Sequence, residues 1–273
     1  MAKRDRPCIL FIDDKLAAIS SRKQMFGKKA EVIALTPDRV TTANLRKASV
    51  VLVDYLLTDW TDSLEAGPIS TRPMDGLALA ATLQSHCDRE WPPTAFALHS
   101  AELEKLSSGL PAKASAHVIA RENNLEWVFS KTNAQNVEPL AQQVLALAEA
   151  VALLPPKWPS TNHVWATVDD LLGLRAKAAW SPVARRHVAS CRPPLRGLDG
   201  SGHGLMFLRW LAHQILPYPA FLLDDIYLAA RLRVTPSSLA RAMASDEKFA
   251  ATLRPYRYTG ALSALLGRRW WSW

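Results

Sequence analysis

Four short apolar runs in the first half of the chain each lead into a residue capable of chemistry, and this pattern constrains the fold more than any other feature. Ile9-Leu10-Phe11-Ile12 meets Asp13 and Asp14, Val50-Val51-Leu52-Val53 meets Asp54, Thr94–Leu98 leads to Ser100, and Glu126–Phe129 leads to Lys131. Apolar runs without alternation predict strands covered on both faces, as in a parallel sheet. With Glu31–Leu35 they make five strands. Helices are expected over Lys15–Phe26, within Pro37–Lys47, and over Gly76–Ser85, His117–Asn124 and Val137–Leu154. Strands and helices in alternation predict an α/β fold with a doubly wound five-stranded parallel sheet. Ligands of such sheets collect beyond the carboxyl ends of the strands, where the four runs end.

Carboxylates gathered at one edge repel each other unless a cation or protons compensate. Mg2+ answers that need: it prefers oxygen ligands and bridges substrate phosphate. The expected metal ligands are Asp13, Asp14, Asp54 and the carbonyl of Leu56, two residues beyond Asp54. The Asp54 carboxylate is the expected nucleophile, with Ser100 and Lys131 stabilising charge on a transferring phosphoryl group. A lone aspartate after a strand is usually a turn or cap residue. The weight lies in five residue types at matching strand ends.

As a set, these residues resemble the receiver domain of bacterial two-component response regulators, over residues 7–150. The acidic pair is Asp13-Asp14 in Phe-Ile-Asp-Asp, and the phosphoacceptor matches Asp54 in Val-Leu-Val-Asp-Tyr-Leu-Leu. The Ser-Ala pair after the fourth strand is Ser100-Ala101, and the lysine is Lys131 in Val-Phe-Ser-Lys-Thr. Pro73-Met74-Asp75-Gly76 repeats the family's lead into the next helix. The resemblance implies a receiver or flavodoxin-like fold, Mg2+ as cofactor, and a histidine kinase or phosphotransfer protein as donor. Departures are also plain. The interval from Asp54 to Gly76 is longer than the family's, Thr132 stands where a proline is common, and Val128 stands where many members carry an aromatic switch residue. A receiver that keeps its pocket only as a protein-interaction scaffold, without phosphotransfer, is the alternative reading.

The character of the chain changes near residue 150. Residues 1–150 hold 17 Lys and Arg against 18 Asp and Glu, whereas 151–273 hold 16 against 7, with 13 arginines and seven of the ten tryptophans. The expected layout is a receiver-like domain over 1–154, a proline-rich linker over 155–162, and a basic helical domain over 163–273. Helices are expected over Val164–Ala178, His203–Leu216, Leu222–Leu232, Ser237–Ala244 and Ala261–Leu266. The stretch from Asp225 to Met243 resembles a helix-turn-helix, with Leu228, Ala229, Leu232, Val234, Leu239 and Met243 inward and Arg231, Arg233 and Arg241 toward phosphates. Arg268, Arg269, Trp270 and Trp271 could stack on bases or grip a protein partner, or fold back on their own domain. DNA, and a protein contact through the Trp60 loop or the terminal Arg/Trp cluster, are the candidate partners.

Three scattered cysteines and the absence of a metal-ligand spacing among the histidines argue against disulfides and zinc. Neither a signal-peptide core nor a bilayer-length apolar run is present, so the expected setting is the cytoplasm, without a membrane partner.

Overall fold

The computed structural model describes the chain apart from residues 1–5, 16–23, 58–72, 74, 89, 102, 107–108, 111–114, 132–138, 161–162, 175–177, 196–202 and 273. The first half follows the order β1 (Cys8–Ile12), β2 (Glu31–Leu35), α1 (Thr42–Lys47), β3 (Val50–Asp54), α2 (Gly76–Ser85), β4 (Ala95–Ser100), α3 (Leu103–Leu106), α4 (Ser115–Glu122), β5 (Trp127–Ser130) and α5 (Leu140–Ala152). Most of the helix expected over Lys15–Phe26 lies outside the described residues; residues 24–26 are helical.

All four strand pairings are parallel, in the order β2-β1-β3-β4-β5. This is the flavodoxin-like arrangement of a doubly wound sheet, whose order reverses between β1 and β3. Every residue of β1 and β3 is buried, which accounts for runs with no polar alternation. The two-residue period then sorts them. Leu10, Ile12, Val51, Val53, Phe96, Leu98 and Val128 meet Leu45 of α1, Leu79 and Leu83 of α2 and Ile119 of α4 on one face. Ile9, Phe11, Val50, Leu52, Ala97, Trp127 and Phe129 meet Val144, Leu147 and Val151 of α5 on the other.

That second core runs on past the prolines. Leu154 and Trp158 carry it into α6 (Val164–Leu172), α7 (Ser181–Ser190) and α8 (Leu205–Trp210). A π-helical turn over Leu211–Ile215 follows α8, and its i→i−5 bond runs from Leu216 N–H to the Leu211 carbonyl. The wide turn brings His213 flat against Trp127, with ring centroids 6.0 Å apart and planes 4° from parallel. His213 Nε2 donates to the Leu125 carbonyl at 3.1 Å, and burial pushes its pKa down to about 4. The ring is therefore neutral across the physiological range.

The rest comprises β6 (Leu222–Leu223), α9 (Asp225–Arg231), α10 (Pro236–Ser245), α11 (Glu247–Leu253) and β7 (Trp270–Trp271). Several expectations are corrected here. The helix from Val164 stops at Leu172, because Gly173 takes a left-handed C-cap conformation at φ 65°. Leu222 and Leu223 pair antiparallel with Trp271 and Trp270, so the next helix begins only where Asp224 caps it. Ala261–Leu266 forms turns, with the Ala261 N–H bonded to the Leu171 carbonyl and Leu262 at φ 65°. Helix α7 escaped sequence reading because its Arg-Arg-His face dilutes a sparse apolar stripe of Ala184 and Val188.

The two halves also share a buried ion pair. Glu126, just before β5, is only 1% exposed. Its carboxylate accepts from the Phe96 N–H at 2.5 Å and from Arg209 Nε of α8 at 2.6 Å, and Arg209 also donates to Asn124. Burial drives the Glu126 pKa upward against the pull of Arg209. Removing one partner of such a pair strands the other's charge in the interior. Arg209→Ala is expected to cost about 3–5 kcal/mol of unfolding free energy, measured by denaturant titration; a loss under about 1 kcal/mol, the range of an exposed pair, would show that water reaches Glu126.

Candidate phosphoacceptor site

The carboxyl ends of β1 and β3 adjoin because these strands pair in register, Ile12 with Val53. Asp13 and Asp14 follow the first strand and Asp54 closes the second. Carboxylate oxygens from all three lie within 4.8 Å of one another. Asp13 and Asp54 are buried, at 5% and 6% exposure. Backbone bonds hold the acidic pair: the Asp13 N–H donates to the Leu35 carbonyl at 3.2 Å, and Asp13 Oδ1 accepts the Lys15 N–H at 2.9 Å.

The other edge of the site comes from β4 and β5. Ser100 pairs with Ser130, and the Lys131 N–H donates to the Ser100 carbonyl at 2.8 Å. This places Lys131 beyond the sheet, and its Nζ reaches Asp54 Oδ1 at 2.6 Å. Ser100 is buried at the end of β4, one residue past His99, which pairs with Asp54. Leu56 lies in the segment leaving β3, its side chain exposed. Trp60 lies outside the described residues.

Two further residues stand beside the site. Gly76, read from the sequence as part of the helix entry, opens α2 so close to β3 that a Cβ there would stand 2.0 Å from the Asp54 carbonyl oxygen, and its N–H donates to the Tyr55 carbonyl at 2.9 Å. Asp75 caps the same helix by accepting from the Ala78 N–H at 2.9 Å. Cap and glycine together explain Asp75-Gly76: one starts the helix and the other lets it abut the end of β3. The second is His99, buried beside Asp54 in the register; a histidine inside an apolar run carries no signal of its neighbours across the sheet.

Burial raises the Asp54 pKa. Lys131 pulls it back by hydrogen bond and charge, Asp13 pushes it up further, and the Tyr55 N–H lowers it. One ammonium thus fails to offset the desolvation of Asp54. Three oxygen donors on so few ångströms, short of compensating charge, fit a hard divalent cation.

The residues expected to bind nucleic acid or a partner divide. Arg231, Arg233 and Arg241 are exposed. Trp270 and Trp271 are 1% and 4% exposed, since β7 turns one ring toward Leu228 and Leu239 and the other toward Phe221 and Tyr258. Arg268 pairs with Asp225 at 2.6 Å, and Arg269 donates to the Leu216 carbonyl at 3.2 Å. In this arrangement the terminal cluster contacts its own half of the chain. Leu232 and Val234, expected inward, are 40% and 42% exposed, because α9 ends at Arg231 and Arg233 turns into the left-handed region at φ 57°.

No family model and no curated protein matches the chain. Among solved structures it is similar to a response regulator receiver domain protein from Clostridium thermocellum, at 14% identity over 54% of this chain and 94% of that one, with a TM-score of 0.34. It is similar to the response regulator RcsB in complex with DNA, at 13% identity over 88% and 90%, TM-score 0.35. The response regulator ChrA of a heme-sensing two-component system gives 12% over 95% and 94%, TM-score 0.31.

A raised carboxyl pKa means that, just above the usual carboxylate range, the folded protein keeps a proton that the unfolded chain has released. Stability from this group then declines as pH rises through that window. Without divalent cations, Asp54→Asn is expected to melt higher than the native sequence at neutral pH, the gap closing toward acid. A native protein melting as high as the variant at neutral pH would show that Lys131 outweighs burial.

Proposed function

We propose that the chain is a phosphorylation-responsive regulator in which Asp54 accepts a phosphoryl group and thereby biases the contacts of the basic helical half. The observation that carries this is the buried Asp54 carboxylate held 2.6 Å from Lys131 Nζ, with Asp13 and Asp14 beside it. On this reading residues 1–154 are the receiver-like domain, 155–162 the linker and 163–273 the output domain.

In the transfer, an Asp54 oxygen bonds to the phosphorus of a phosphohistidine while the phosphorus–nitrogen bond breaks and the imidazole leaves with the electron pair. The product is an acyl phosphate. Lys131 supplies positive charge where negative charge gathers on the transferring group, and the Ser100 hydroxyl would donate to it. Asp13, Asp14, Asp54 and the Leu56 carbonyl would hold Mg2+, which when bound neutralises the acidic cluster and the incoming phosphate. Gly76 keeps the end of β3 in place.

Residues 151–273 carry a net excess of nine positive charges, so the partner of this half is an anionic macromolecule. Duplex DNA and an acidic protein surface both answer to that description.

Incubation with acetyl phosphate and Mg2+ is expected to add one phosphoryl group to the native chain, detected by intact-protein mass, and none to Asp54→Asn. Lys131→Ala should slow labelling by about 10²-fold, the usual effect of losing one charge-stabilising donor. Absence of label on a folded native protein would leave the scaffold reading in its place.

A further inference from the structure

Four of the nine large hydrophobic side chains exposed among the described residues fall within nine positions: Ile226 at 49%, Tyr227 at 45%, Leu232 at 40% and Val234 at 42%. They share one element and its turn. Leu228 and Ala229 of α9 face the small core with Leu239 and Trp270. Its opposite face presents Ile226, Tyr227, Ala230 and Arg231 to solvent, at the i, i+4 spacing that places side chains one above another. Val234, just past the turn that follows, is exposed as well. A surface helix ordinarily turns a polar face outward, and one that is apolar on both faces is covered on both.

The surrounding charge is of one sign. Asp224 is used as the cap of α9, accepting from the Tyr227 N–H at 2.8 Å. Asp225 accepts from Arg268 and from Trp270 Nε1, each at 2.6 Å. Among the described residues, Arg231, Arg233 and Arg241 form no ion pair, and all three are exposed. The surface is therefore an apolar stripe with a cationic border.

We propose that the outer face of α9 and the following turn dock a partner protein through an apolar segment flanked by carboxylates. The proposal rests on the reading that the basic half binds an anionic macromolecule, and it names the class. Duplex DNA satisfies the arginines alone, since phosphates give Ile226 and Tyr227 no apolar counterpart. A second copy related by a two-fold axis would bring arginine against arginine. An acidic amphipathic segment meets both features: desolvated side chains at the centre and charge pairs at the border.

The test is a displayed library of random peptides selected on the immobilised full-length chain, with enriched peptides and a random-sequence duplex then measured by fluorescence anisotropy. Enriched peptides should combine Leu, Ile or Phe with Asp or Glu. Their affinity should fall at least about tenfold both for Ile226→Ser/Tyr227→Ser and for Arg231→Glu/Arg233→Glu, the equivalent of losing one buried apolar side chain. Both pairs are exposed, so the variants should keep the native melting temperature. Peptides without acidic residues, or indifferent to the serine pair, would overturn the docking proposal. Duplex binding that survives the serine pair and is lost with the glutamate pair would overturn it while preserving the reading of a macromolecule-binding basic half. Failure of both probes would overturn both.

Discussion

The structure turns on the cost of holding carboxylates out of water. Asp13 and Asp54 are nearly inaccessible at the ends of two strands that are otherwise buried and apolar, and the single ammonium of Lys131 leaves the Asp54 pKa raised. An arrangement that leaves a carboxylate under-compensated is poor for stability and useful for chemistry. Three oxygen donors so placed fit a divalent cation. The rest of the first half serves that edge: parallel pairing aligns the strand ends, Gly76 lets α2 abut Asp54, and the Lys131 N–H ties its residue to the Ser100 carbonyl.

The second half depends on the first through a different burial. Glu126 and Arg209 form an ion pair across the two halves, while His213 lies flat on Trp127 and bonds the Leu125 carbonyl. These contacts gather around the start of β5, the strand that delivers Lys131 at its other end. Lys131 and the contacts with the helical half thus lie at opposite ends of one strand of four residues. That half buries Trp210, Trp270 and Trp271 and turns Arg231, Arg233, Arg241 and a few apolar side chains outward.

Much of this was legible beforehand. Continuous apolar runs such as Val50–Val53 can be buried only on both faces, and an aspartate that follows one must lie at the sheet edge. Asp75 and Gly76 announced the start of α2. Other features were hidden because their meaning lies across the fold. Glu126 reads as a strand residue until Arg209 stands beside it, and Trp270 and Trp271 read as a sticky terminus until β6 pairs with β7. Leu232 and Val234 fit an inward pattern on paper, yet the left-handed Arg233 between them turns both toward solvent.

By itself, the order of residues determined the parallel sheet, the elements that bear its reactive ends and the charge contrast between the halves, because periodicity, capping and composition are local properties. Tertiary structure alone decided that Arg209 pairs with Glu126, that His213 lies flat on Trp127 and that one face of α9 is left bare. Those outcomes depend on distances between segments far apart in the chain, and they are set by which packing buries the most apolar surface without stranding a charge.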